Sequence, residues 1–219
     1  MANESLYQKS YIRRIPEIGK LAPDTFKAFL AFDRQALAEG MITKKTKELI
    51  AVAVAHVTGC PYCINDHVSG ARKLEASKEE ITEAVMVATA LKAGSAMAHG
   101  LNALNAFDEM GGEELYQRSN LARFKEFREL SPEAFSAFNK FDQEAMKPGL
   151  IGRKEKELIA VAVAHVTGCA YCIEVHTKCA KKLGVTLEEL AEAIFVATAL
   201  KAGSALAHSV NALNAYDSQ

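Results

Sequence analysis

Shifted by 109 positions, the chain aligns with itself without a gap from Glu4 onward, so Glu48 falls on Glu157 and Cys60 on Cys169. SLYQKS at 5–10 meets ELYQRS at 114–119, and Phe26, Phe29 and Phe32 meet Phe135, Phe138 and Phe141. ELIAVAVAHVTGC is identical at 48–60 and 157–169, and VATALKAGSA at 87–96 and 196–205. All six histidines are in register: His56 with His165, His67 with His176, His99 with His208. Even Met1 lies over Met110, as an in-frame gene duplication would leave it. A unit of this length is a small domain or half of a two-fold assembly rather than a solenoid repeat. We therefore expect two repeats, 1–109 and 110–219, facing each other across a pseudo-twofold interface. Neither copy has lost its polar set, although a structural relic would be free to lose one.

Within one unit, segment 23–38 opens with Pro23 and Asp24 and spaces Phe26, Phe29, Phe32 and Ala36 along one helical face. Gly40 and Gly149 punctuate its end. The stretch AVAVAHV alternates like a strand, but its length, its alanines and the preceding KKTKEL predict a buried helix over 43–57. Thr58-Gly59 breaks the chain, and a further helix starts at Cys60-Pro61, where proline's missing N–H costs nothing. It runs to about Leu74, and the second copy closes with Gly184, a natural C-terminal stop. Ser77-Lys-Glu-Glu80 and Thr186-Leu-Glu-Glu189 are capping boxes ahead of apolar helical patterns. Gly94-Ser95 is expected to divide that stretch from a last helix ending near Asp108. Scarce proline, absent tryptophan and abundant alanine agree, and no stretch reads as a convincing strand, so the fold is predicted all-α.

Each repeat carries one polar constellation, Glu48-x11-Cys60-x2-Cys63-x3-His67 and Glu157-x11-Cys169-x2-Cys172-x3-His176. Cys63 and His67 stand at i, i+4 and are neighbours on a helix face. An imidazole there can take the thiol proton, and the thiolate is the reactive species. Cys60 sits at the helix N-terminus, where free N–H groups and the macrodipole also favour a thiolate. Two cysteines this close can pass between dithiol and disulfide. Glu48 on the preceding helix can fold back to orient His67 and relay its proton. Zinc is the principal competing use of such residues, but it wants four ligands and one copy offers three unless the copies pool them. Haem attachment would place the histidine directly after the second cysteine, where Ile64 and Ile173 stand. Core packing explains one buried cysteine, not the whole set twice.

With this spacing inside ELIAVAVAHVTGCPYC, the chain resembles the alkylhydroperoxidase D-like branch of the carboxymuconolactone decarboxylase superfamily over roughly 40–105 and 149–214. The resemblance implies all-helical units assembled as trimers or hexamers, hence a homo-oligomer, a trimer of tandem chains. It also implies that Cys63 and Cys172 are the peroxidatic cysteines, passing through sulfenic acid, with Cys60 and Cys169 closing the disulfides. Glu48 with His67, and Glu157 with His176, would be the proton relays. Helix-dipole reasoning alone favours the first cysteine of each pair as the more acidic thiol, the histidine the second. Expected partners are a hydroperoxide and a dithiol or lipoyl electron-donor protein, with no bound cofactor or metal. The superfamily's name carries the rival activity, a lactone decarboxylase, whose members lack the Cys-x-x-Cys.

The remaining features bound the setting. A net charge of −1 with interspersed signs gives no basic stripe for nucleic acid and no block for a membrane surface. The N-terminal stretch MANESLYQKSYIRR has no apolar signal core, and the longest apolar run, Leu49 to Val57, is too short to span a bilayer. A cytoplasmic protein is expected, where paired cysteines serve catalysis or metal rather than stapling. His99 and His208, in KAGSAMAH and KAGSALAH, are candidates to approach the site. His56 and His165 are expected to hold the turn before the first cysteine, and Tyr62 and Tyr171 to pack beside the pair. Cys179 has no counterpart, matching Gly70, and is the place where the copies can differ chemically.

Overall fold

In the computed structural model, which describes residues 5–110 and 112–218, AVAVAHV is helical in both copies. Met1 and Glu4, which open the register of the duplication, lie outside the described residues. Ten α-helices form and no strand is present among the described residues. The first repeat contains α1 (Ile15–Leu21), α2 (Pro23–Ala36), α3 (Lys44–Thr58), α4 (Pro61–Lys73) and α5 (Lys78–Phe107). The second repeats the order as α6 (Phe124–Leu130), α7 (Pro132–Met146), α8 (Arg153–Thr167), α9 (Ala170–Lys182) and α10 (Leu187–Asp217). A 3-10 turn precedes α1 at Lys9–Arg14 and α6 at Arg118–Arg123.

The strand-like alternation in α3 has a simple origin. Leu49 to Ala55 are all buried, because α3 is enclosed by α4, α5, α8 and α10. A helix apolar on every side loses the one-sided pattern by which helices are recognised. Gly59 and Gly168 end α3 and α8 in the left-handed conformation, at φ 70° in each copy. Both predicted capping boxes are closed, at Ser77 with Glu80 and at Thr186 with Glu189.

Gly94-Ser95 does not divide the long segment: α5 runs unbroken through it, as α10 does through Gly203-Ser204. A helical glycine costs only about 1 kcal/mol, and here it makes a notch. A Cβ on Gly94 would meet the Phe138 ring of α7 at 3.5 Å, and one on Gly203 would meet the Phe29 ring of α2 at 3.6 Å.

Those two contacts show how the repeats interlock. Each α2-type helix packs on the long helix of the other repeat, α2 on α10 and α7 on α5, while α3 and α8 pack together at the centre. One apolar core therefore runs through both copies, joining Ile50, Val52 and Val87 to Ile159, Val163 and Val196. Ion pairs repeat the exchange. Glu192 of α10 accepts from the N–H groups of Met41 and Ile42 and meets the buried Lys47 ammonium at 3.0 Å. Glu83 of α5 does the same with Leu150, Ile151 and Lys156. Gly40 and Gly149, expected only as punctuation, lie where these carboxylates enter, leaving no room for a Cβ. By length and apolar composition α10 is able to cross a membrane, yet here its Ala193, Val196, Ala199 and Leu200 are buried in the shared core.

Candidate active site

Cys60 is the N-cap of α4 and Cys169 that of α9. Each Sγ of these first cysteines accepts from the backbone N–H of the second, at 3.2 Å in both copies. Pro61 is not needed for this, since Ala170 stands in its place with the same geometry. The Cα atoms of each pair lie 5.3 and 5.2 Å apart, within the range a disulfide bridges without backbone movement, and both pairs are joined as disulfides. The first cysteine of each pair is fully buried, whereas Cys63 and Cys172 keep 7% and 8% of their surface.

One turn further on, His67 Nδ1 bonds to Glu48 Oε2 at 2.9 Å, and His176 Nδ1 bonds to Glu157 Oε2 at 2.8 Å. The predicted fold-back of the carboxylate is therefore present in both repeats. With Nδ1 taken by the carboxylate, proton exchange with a thiol falls to Nε2. Burial opposes a charge on His67, but the Glu48 bond, with the charges of Glu48, Asp66 and Asp33, outweighs it and raises the imidazole above its usual value.

Cys63, His67 and Glu48 open on a cavity of about 950 Å³. Its apolar wall includes Tyr7, Ile12, Ile15 and Phe29 from the N-terminal segment of the same repeat and Leu206 from α10. The site is thus composite. Ala207 and Val210 of α10 pack on the Cys60–Cys63 pair, and Ala98 and Leu101 of α5 on Cys169–Cys172. His208 and His99 accordingly approach the site of the other repeat, and do so through a tyrosine. Tyr7 lies edge-on to His208 at 6.1 Å and against Tyr62 at 5.8 Å. Tyr116 relates likewise to His99 and Tyr171.

His56 and His165 bond back to the carbonyls of Val52 and Val161, inside their own helices. The turns they were expected to hold are instead closed by backbone, Gly59 and Cys60 both donating to the Ala55 carbonyl. Sequence reasoning missed Asp33 of α2, which lines the cavity. Burial pushes its carboxyl up; His67 opposes the shift, and Asp66 and Glu48 add to it. Asp142 occupies the same register in the second repeat, and burial pushes it up as well. Their recurrence 109 residues apart was the available signal. Cys179 is half-buried, its thiol pushed up by burial and by the charge of Glu157.

Two stretches, residues 23–106 and 132–215, match the carboxymuconolactone decarboxylase family, one in each repeat. The chain belongs to that family. Among family relatives, a Paracoccus denitrificans protein named as uncharacterised protein 4 in the cox locus is 53% identical over 85 residues. That match covers 39% of this chain but 77% of the relative, which is therefore about one repeat long. An uncharacterised Haemophilus influenzae protein is 41% identical over 91 residues, 42% of this chain and 80% of its own length. A solved structure from Burkholderia xenovorans, named as a candidate gamma-carboxymuconolactone decarboxylase subunit, shares the fold at a TM-score of 0.63 and 19% identity. The superposition covers 95% of this chain and 96% of that one.

Proposed function

We propose that the chain is a thiol-dependent oxidoreductase that reduces an organic hydroperoxide, or a partner's disulfide, by cycling its Cys-x-x-Cys pairs. The observation that carries this reading is the layering of one site. Cys63 faces a cavity beside a Glu48-bonded His67, and Cys60 lies buried behind it within disulfide reach. His67 takes the Cys63 proton through Nε2, with Glu48 stabilising the imidazolium that forms. The Cys63 thiolate attacks the terminal peroxide oxygen. The O–O bond breaks, alkoxide leaves and takes a proton to become alcohol, and the cysteine becomes a sulfenic acid. Cys60 then attacks that sulfur, expelling water and closing the disulfide. Two electrons from a donor dithiol or dihydrolipoyl group restore the thiols by exchange. Cys169, Cys172, His176 and Glu157 repeat the arrangement.

The cavity favours a substrate with an apolar body, through Ile12, Ile15, Phe29 and Leu206. The family name and the Burkholderia structure support a second reading, lactone decarboxylation. Asp33, Glu48 and Asp66 line the same cavity together with Lys9 and Lys73, so the charge of its wall alone does not choose between the two readings, and the paired cysteines favour the first. The proposal includes a reducing, cytoplasmic setting and a trimer of tandem chains. Exposed apolar residues at matched positions, Leu6 with Leu115 and Leu21 with Leu130, are surface such an assembly could bury. Steady-state turnover of cumene hydroperoxide with dihydrolipoamide, run beside metal analysis of the purified protein, tests the reading. C63S/C172S should lose ~100-fold or more, the scale of removing a nucleophile rather than its surroundings. Undiminished turnover, or stoichiometric zinc that masks the thiols, contradicts it.

A further inference from the structure

The two relays are built from the same residues but are closed differently. Glu157 is fully enclosed, with 0% of its side chain exposed, while Glu48 keeps 19%. Glu157 Oε2 serves His176, and its Oε1 is held at 2.8 Å by the guanidinium of Arg153, one turn earlier on α8. Arg153 is itself anchored to the Met146 carbonyl at 2.6 Å. At the matching register stands Lys44, exposed, with no ion pair to Glu48 among the described residues.

The space above the carboxylate differs as well. A Cβ placed on Gly70 would lie 2.7 Å from Glu48 Oε2 and 2.8 Å from its Cδ, so in the first repeat the carboxylate occupies the notch over a glycine. In the second repeat Cys179 fills that register. The other charged and titratable groups around the two carboxylates correspond except at one position. Glu48 has His67 and Asp66 from α4 and Asp33 from α2, with Lys73 on the cavity wall. Glu157 has His176 from α9, Asp142 from α7 and Arg153 from α8. Asp66 has no second-repeat equivalent, since Val175 replaces it.

We infer that the repeats are unequal thiol sites, the first reacting faster, with Arg153 the positioning residue that restrains the second. This rests on the relay reading proposed above. In the first repeat the whole carboxylate charge is available to an imidazolium at His67. In the second it is shared with a fixed guanidinium, so His176 is a poorer acceptor for the Cys172 proton. The exposures of Cys63 and Cys172 differ by only one percentage point.

Two full-length variants isolate the sites: C169S/C172S leaves the first pair and C60S/C63S the second. Each is measured reduced, from pH 6 to 9, for iodoacetamide alkylation of the remaining pair by peptide mass spectrometry, and separately for disulfide formation with cumene hydroperoxide. The first pair should react roughly tenfold faster near neutrality, a fraction of what a positioned general base contributes. Adding R153K/C179G should bring the second pair to within about threefold of the first, and adding K44R/G70A should slow the first. Coincident rates and pH profiles for the two pairs, or a gap that neither exchange moves, would overturn the inference. Unequal alkylation with no response to hydroperoxide would leave the inequality standing and remove the peroxide reading instead.

Discussion

His67 carries the clearest electrostatic signature of the site. Burial works against its charge, and the Glu48 bond with the charges of Glu48, Asp66 and Asp33 more than reverses that effect. A folded-state value above the unfolded one means that protonation stabilises the fold. That contribution is full below the unfolded imidazole value of about 6.5, and it is lost as pH rises through the folded-state value. H67Q in the oxidised protein should therefore cost most stability near pH 6 and progressively less towards pH 9, read by urea unfolding at each pH. A cost that grows with pH would contradict the assignment. The residues of this relay were legible because a helix is a fixed ruler, with i, i+4 placing His67 over Cys63. Asp33 was not, since it reaches the cavity from α2, and packing alone sets where α2 lies relative to α4.

The elements show a similar divide. Caps and starts were readable from local chemistry: Ser77, Thr186, Pro23 and the cysteine N-caps all stand where the sequence places them. The continuity of α5 was not, because glycine's local meaning is a break, whereas Gly94 is a notch for a ring arriving from the other repeat. The duplication supplies an internal control at the end of α4. Gly184 follows α9 at φ 78°, and its counterpart Glu75 adopts φ 61° despite its side chain. The left-handed conformation costs a non-glycine residue about 1 kcal/mol. Glu75→Gly should thus stabilise the protein by about that amount, and Gly184→Glu should destabilise it comparably, in chemical denaturation. A loss of stability in Glu75→Gly would show that the Glu75 side chain contributes more than its strain.

At the scale of the molecule the repeats are completed by each other. Arg14 pairs with Asp217 and Asn214 of the second repeat, and Arg123 pairs with Asp108 and Asn105 of the first. Each cysteine pair is likewise covered by the opposite long helix. A register of 109 residues reveals that two units exist but not that they exchange helices, since matched residues do not say which copy they touch. The tandem chain holds that helix covalently, in its other repeat. Both pairs are proposed to cycle between dithiol and disulfide at the expense of a hydroperoxide. Titrating the fully reduced chain with cumene hydroperoxide, without a reductant, and counting free thiols and alcohol formed tests this. Cys60, Cys63, Cys169 and Cys172 should be lost as two disulfides, with one alcohol per disulfide and Cys179 left free. An unchanged thiol count with excess hydroperoxide, in protein that remains folded, would contradict it.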